Sequence, residues 1–390
     1  MSIYEELGVK RVINAAFALT RLGGSTLSRK IVESMIDANK TWVWLWDLEE
    51  KAGKIIAELT GAEAAHVTAG CFASLVLSAA ACMAGKDPDK MKKLPNTIGM
   101  KNEIITQRCL RDFMYDRSMT VAGGKLIEVG DERWSCRPEQ IMAAINEKTA
   151  AIHHDVYAFQ SLPNNENLVS LEEVIAIGNK HNIPIIVDAA GQTYPTDDLK
   201  KFVAMGADLV CYASKYFLGP NSAGIVIGRK DLVEAVALHN FIGQEGAHIP
   251  QQPGFYRSIG RGYNLDRQEI VAVVIALKSW LQMDHMKERI QPALKRRRYI
   301  LDVLQAASNV EIKRFPMIGD IWYHIIGLQI FLENKNPAEV VKALMEGDPS
   351  IWVLRHDQNT ILVNTLFLAD GEEKILAKRL KSVLSSTNQK

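Results

Sequence analysis

Short apolar runs alternate with helix-like segments from Ala64 to Gly228, and this alternation constrains the fold more than any other feature of the chain. Strand-like runs fall at Ala64–Thr68, Glu103–Thr106, Leu126–Val129, Ala150–His153, Ile185–Asp188, Leu209–Tyr212 and Gly224–Ile227. Helix-like segments intervene at 71–84, 138–146, 170–181, 197–205 and 229–240. Strands with no polar face, spaced by helices, predict a seven-stranded, mostly parallel sheet buried on both sides.

The flanks read differently. Residues 1–29 form an expected N-terminal arm, with Ser28 placed to cap a helix from Arg29 that pauses at Trp42–Trp46 and stops at Thr60-Gly61-Ala62. The alternating Trp42, Trp44 and Trp46 predict one shared face, in a core or a dimer interface. A Gly/Pro/Gln-rich connection at 243–264 leads to one long amphipathic helix over 265–306. Short strands at 310–314, 325–332, 351–355 and 360–364, with helices at 337–345 and the C-terminus, complete a small α+β domain. The expected division is thus an arm (1–29), a large domain (30–264) and a small one (265–390), within reach of a 390-residue chain.

Two residues stand where the large sheet can do chemistry. Asp188 ends the run Pro184-Ile185-Ile186-Val187-Asp188, and Lys215 follows the next strand in Ala213-Ser214-Lys215-Tyr216. Neighbouring parallel strands bring both groups to one sheet edge, where α/β proteins bind ligands. An amine to hold an aldehyde and a carboxylate to keep a pyridine nitrogen protonated are what pyridoxal 5'-phosphate (PLP) requires. Taken singly, the aspartate reads equally as a helix cap and the lysine as a solvated charge. The whole string from 184 to 229, with a glycine loop at 218–222 and a further strand, resembles the core of the fold-type-I PLP enzymes.

Other candidates follow from position. Ala69, Gly70 and Cys71 end a strand and open a helix whose first N–H groups have no internal partners, an anion site for a phosphate. Ser214 would add a hydroxyl to that phosphate. Gln192 and His154 lie at strand ends and would touch the ring or its 3-oxygen, a structural histidine being an equal reading of His154. No third ligand at suitable spacing makes the His153-His154 pair a metal site. The ring-stacking residue is sought within Gln107–Tyr115. Burial and a nearby ring cation would lower the Lys215 pKa and suit it to act as a base. Arg261 and Arg355 are the candidates for a bidentate grip on a substrate carboxylate, with a surface salt bridge as the plain alternative for each.

Charge and composition narrow the partners. Lys+Arg of 46 against Asp+Glu of 45 gives a net +1, offering no general attraction to nucleic acid or membrane. The run Lys295-Arg296-Arg297-Arg298 reads as a solvated helix face. Residues 64–85 carry no charged side chain, yet are Ala-rich and hold His66, Thr68, Ser74 and Ser78. That composition predicts a strand, a turn and a buried helix, not a membrane span. Five scattered cysteines (71, 82, 109, 136 and 211) favour reduced thiols, and an acidic N-terminus lacks a signal-peptide pattern, so a cytoplasmic location is expected.

Several stretches together resemble selenocysteine synthase, the L-seryl-tRNA(Sec) selenium transferase: Val12–Ala16 with Thr20–Gly24, Leu59–Ala65, Ile183–Ala190, Ser214-Lys215, and Ile259-Gly260-Arg261 through Glu269-Ile270. The selenium transferases carry an extra N-terminal tRNA-binding domain, whereas here the Ile13-Asn14 strand begins almost at once. The likeness is therefore to the short SelA-like relatives, some of which are ammonia-lyases for glucosaminate-type or other hydroxy amino acids. The resemblance implies a fold-type-I PLP enzyme that eliminates the β-hydroxyl or another β-substituent of a small amino acid, releasing ammonia and a 2-keto acid. It also implies a homodimer or higher homo-oligomer. Racemase, retro-aldolase and aminotransferase chemistries would use the same Lys215–Asp188 pair, and a non-catalytic scaffold on the same fold is the reading from another class.

Overall fold

The computed structural model describes residues 2–111, 115–131, 135–161, 165–240, 258–305, 310–315, 325–333 and 335–385. Strand β1 (Val12–Asn14) precedes seven strands of one sheet: β2 (Ala64–Thr68), β3 (Glu103–Gln107), β4 (Lys125–Val129), β5 (Thr149–Asp155), β6 (Ile185–Asp188), β7 (Leu209–Ala213) and β8 (Gly224–Gly228). Five more follow: β9 (Ile312–Phe315), β10 (Gly327–Phe331), β11 (Ser350–Trp352), β12 (Leu354–Arg355) and β13 (Thr360–Asn364). The large sheet has the order β2-β8-β7-β6-β5-β3-β4. Only the β8 pairings, with β2 and β7, are antiparallel.

Alternation along the strands sorts the sheet into two apolar faces. Ile186, Leu209, Cys211, Ala213 and Val226 pack with the helix Gly70–Ala84 and with Val233 and Val236 of the helix Lys230–His239. Ile185, Val187, Val210, Tyr212, Ile225 and Ile227 face the other way, among Ile56, Val174, Ile177 and Trp280. With both faces covered, strands of continuous apolar residues are the stable choice. The Ala-rich Gly70–Ala84 helix is buried almost all round, which explains its lack of charge. Among the described residues no helix is long and apolar enough to cross a membrane.

Local caps act where the chain announces them. Ser28 accepts the Ile31 N–H to start the helix Arg29–Ala38, and Gly61 ends the helix Leu45–Thr60 in the left-handed region at φ 72°. The tryptophans do not share a core face. Trp42 is 88% exposed beneath the Arg267 guanidinium, and Trp44 is 51% exposed at the position preceding a helix. A strand-like spacing misleads there because the chain turns into a helix at Leu45.

Contacts divide the chain into one unit of residues 26–281 and another of 1–25 with 282–390. The expected single helix over 265–306 is two, Arg267–Gln282 and Gln291–Gln305, with a π-helical turn at Met286–Ile290 before the second. Asp284 restarts the helix by accepting the Lys287 N–H. The first helix belongs with the large sheet, where Ile270, Val273, Leu277 and Trp280 are buried. The smaller unit contains an antiparallel sheet, β12-β13-β10-β9, and the parallel pair β1-β11, over a core of Ile13, Leu304, Leu328, Ile351, Val363 and Leu380. Most of the 243–264 connection lies outside the described residues.

Candidate active site

β6 and β7 are parallel neighbours, so Asp188 and the turn that carries Lys215 leave the sheet at the same edge. Asp188 is in register with Asp155 on β5 and Cys211 on β7. Its Oδ1 accepts the Ala190 N–H at 3.0 Å and lies 3.7 Å from the Cys71 thiol, which donates. The carboxylate is thereby oriented by its own strand and by the helix above it. Burial and the Asp188 charge push the Cys71 thiol well up, keeping it protonated.

Lys215 sits in the 3₁₀ turn Ser214–Phe217. Leu218 closes the turn at φ 61°, a conformation that costs an ordinary residue about 1–2 kcal/mol. The turn is pinned from outside: Thr193 Oγ1 donates to the Tyr216 carbonyl at 2.8 Å, and Trp280 Nε1 donates to the Thr193 carbonyl at 2.7 Å. The Lys215 Nζ stands 5.1 Å from the centre of the Tyr216 ring. Burial lowers the pKa of this amine, against a smaller opposing influence of Cys71. A desolvated amine held near a carboxylate-bearing strand end is a usable nucleophile and base.

The anion site is built from small residues. Gly70 has φ +85°, which favours glycine, and starts a helix whose first turn has no side-chain cap. Gly224 of β8 lies beneath it: a Cβ there would meet Gly70 C at 2.6 Å and Cys71 N at 2.7 Å. An uncapped helix N-terminus drawn down onto the sheet edge fits the phosphate of a pyridoxal cofactor. Ala69 occupies the position just before that helix.

Two sequence candidates point elsewhere. His154 is on the opposite face of the sheet, in register with Val187, its ring 5.3 Å from Phe159. It is 1% exposed, and burial lowers its pKa to about 3, so it is a neutral core histidine. The Ser214 hydroxyl is also turned from the Gly70 turn. A Cβ on Gly219 would collide with its Oγ and then with Ala276, so it points toward the helix Arg267–Gln282. Strand alternation explains His154, which lies one residue out of step with the Asp188 face, whereas Ser214 is placed by the 3₁₀ turn that follows β7.

Gln192 is buried in the turn after β6. Arg261 is exposed in the 3₁₀ turn Ile259–Gly262, whose Ile259 packs beside the Gly70–Ala84 helix. Arg355 belongs to the smaller unit, where its Nε donates to the Asp357 carbonyl at 3.2 Å.

The residues that do share the Asp188 face are Thr106, His153 and Asp155, which line a recess with Asp188, Arg111, Tyr115 and Asp116. Sequence reasoning passed over Asp155 beside the conspicuous histidines. A two-residue period groups 153 with 155 and sets 154 apart, and the pairing of β5 with β6 decides which of the two sets joins Asp188. Of the expected ring-stacking stretch, Leu110, Arg111 and Tyr115 line the recess, and residues 112–114 lie outside the described ones.

Fold and site together define a class, the fold-type-I PLP-dependent enzymes. A family model described as L-seryl-tRNA selenium transferase matches residues 12–243, and the chain belongs to that family. It is 35% identical to a 5'-C-glycyluridine monooxygenase-decarboxylase of a Streptomyces species, over 98% of this chain and 92% of that protein. It is 26% identical to the D-glucosaminate-6-phosphate ammonia lyase of Salmonella typhimurium, over 98% of each. A solved D-glucosaminate-6-phosphate ammonia-lyase structure superposes with a TM-score of 0.82 at 24% identity, over 98% of both chains.

Proposed function

We propose that the chain is a PLP-dependent ammonia-lyase acting on a small amino acid with a β-hydroxyl or other β-substituent. The observation that carries this reading is the desolvated Lys215 amine in the turn after β7, the strand next to that of Asp188, at the edge that also bears the Gly70 anion site. PLP, when bound, supplies an electron sink that makes a Cα–H bond acidic. Asp188 would hold the ring nitrogen in its protonated state, with the Ala190 N–H and the Cys71 thiol fixing the carboxylate. The Gly70 and Cys71 N–H groups would grip the phosphate.

Lys215 Nζ would anchor the aldehyde carbon until substrate replaces it, then take the Cα proton. Its lowered pKa leaves more of the amine in the basic form at neutral pH. Arg261 and Arg355 are the proposed carboxylate ligands. The β-hydroxyl departs as water and the amino group as ammonia, and one water returns to give the 2-keto acid. We assign the enzyme to the cytoplasm as a homo-oligomer, a dimer or higher. The test is to assay the PLP-loaded protein against a panel of β-hydroxy and β-substituted amino acids. Equal amounts of ammonia and keto acid are expected; no product from any substrate overturns the reading.

The 35% identity to a monooxygenase-decarboxylase favours a second reading, oxygen-dependent decarboxylation on the same Lys215–Asp188 pair. Oxygen uptake matched by carbon dioxide release, in place of ammonia and keto acid, would select it.

A further inference from the structure

The turn that carries Lys215 places an aromatic ring directly after the lysine, and the proposed reaction gives that ring no task. Tyr216 follows Lys215 within the 3₁₀ turn Ser214–Phe217. Successive side chains leave such a turn about 120° apart, so sequence neighbours do not face one another by default. Here they meet. The Lys215 Nζ stands over the Tyr216 ring, 5.1 Å from its centre. That is inside the range of roughly 6 Å at which an ammonium is attracted to the negative face of an aromatic ring. The flexible lysine stem must fold back to reach it, at a cost in rotamer freedom that a solvated amine does not bear.

The ring is held by the turn that leaves Asp188. A Cβ on Gly191 would touch its Cδ2, Cε2 and Cζ, each at 3.8 Å, so the ring rests on the Gly191 main chain. The Tyr216 carbonyl accepts from Thr193 Oγ1 at 2.8 Å, and Thr193 is fully buried. Residues 191 and 193 thus fix ring and backbone together, and the aspartate and lysine segments share one support. Burial pushes the Tyr216 phenol up, which keeps it neutral. Core packing alone is served by any apolar side chain of suitable volume, whereas a negative face for an ammonium needs a ring.

We infer that Tyr216 is a positioning residue for Lys215, its ring face holding the ammonium form of that side chain at the sheet edge. The inference rests on Lys215 as the base of the proposed reaction: on taking the Cα proton the amine becomes an ammonium, and the ring receives that charge. Attraction to the ring favours the charged form and so opposes the desolvation of the amine. Losing it therefore lowers the pH at which Lys215 gives up its proton by about half to one unit, a change of about three- to tenfold. The other titratable groups at this edge are Asp188 of β6, Asp155 and His153 of β5, the Cys71 thiol, and the Tyr115 and Tyr157 phenols. All of them remain when only the ring is changed.

The experiment follows the Lys215 proton in the full-length chain without PLP. Competitive labelling with trace acetic anhydride between about pH 7 and 11 is read by mass spectrometry of the Lys215 peptide. Two replacements separate ring electrostatics from shape: Tyr216→Phe keeps the negative face, and Tyr216→pentafluorophenylalanine keeps the ring but reverses its charge distribution. The labelling midpoint of Tyr216→Phe is expected within about 0.2 unit of wild type, and that of the fluorinated variant about half to one unit lower. Equal midpoints in the two variants, or a rise in the fluorinated one, overturn the inference. Should the pentafluoro variant fail to fold, Tyr216→difluorophenylalanine is read by the same criteria at about half the shift. Failure of the PLP reading is distinct: it shows as no reducible adduct on Lys215, and the labelling, which uses no cofactor, still decides the role of Tyr216.

Discussion

Gly224→Ala tests the anion site through backbone geometry alone. A Cβ at Gly224 would lie 2.6 Å from Gly70 C, 2.7 Å from Cys71 N and 2.7 Å from the Tyr212 carbonyl oxygen. All three are main-chain atoms, so no side chain can swing aside. Restoring ordinary contact needs a movement of about 1 Å, and overpacking of this kind costs about 1–3 kcal/mol of stability. The movement is borne by the start of the Gly70–Ala84 helix, whose N–H groups are the proposed phosphate ligands. Losing one charge-assisted hydrogen bond, about 1.5–3 kcal/mol, weakens PLP binding by roughly ten- to a hundredfold. Absorbance titration with PLP gives the affinity, and thermal melting of the PLP-free protein gives the stability. Ile225→Val, next along β8 but on the opposite face, is the control. It should cost about 0.5–1.5 kcal/mol and leave PLP affinity within about twofold. If Gly224→Ala is destabilised yet binds PLP like wild type, the phosphate does not sit on this helix terminus.

Two further substitutions probe buried ionisable groups. Glu49 is buried beside His66, whose Nε2 accepts from Asn240 at 2.8 Å; burial raises the Glu49 pKa to about 8 and lowers that of His66 to about 4. The protonated Glu49 is favoured by folding, so its contribution is complete below about pH 4.5 and is lost as pH rises to about 8. Between pH 6.5 and 8 the wild type should lose about 2 kcal/mol that Glu49→Gln keeps, measured by urea unfolding; parallel pH profiles would refute this. His154→Leu should leave PLP affinity unchanged and reduce the loss of stability on acidification from pH 6.5 towards pH 3, because the buried imidazole no longer has to charge. A large drop in PLP affinity would return His154 to the site.

Local chemistry was readable and long-range registration was not. The β6 and β13 runs at Ile185–Asp188 and Thr360–Asn364, and the helix Pro337–Met345, lie where their apolar patterns and flanking residues put them. Asp188 and Lys215 were visible because each terminates an apolar run in a small-residue context. The face that each neighbour presents depends on how β5 aligns with β6, which is fixed by pairing between residues 152 and 185 and not by either segment alone. His154 was therefore preferred where Asp155 stands beside Asp188. Ser214 failed for a related reason: the 3₁₀ turn after β7 sends its hydroxyl toward Gly219, which no strand pattern encodes. The break near Asp284 was hidden because both flanking segments keep a helical period.

Identifying the residue that bonds to the cofactor goes to the root of the account. Protein incubated with PLP, reduced with borohydride, digested and sequenced by mass spectrometry should carry the pyridoxyl mass on Lys215, and Lys215→Ala should carry none there. A stable label on a different lysine in wild type, or no label at all, would contradict the assignment of Lys215 and with it the chemistry built on the β6–β7 edge.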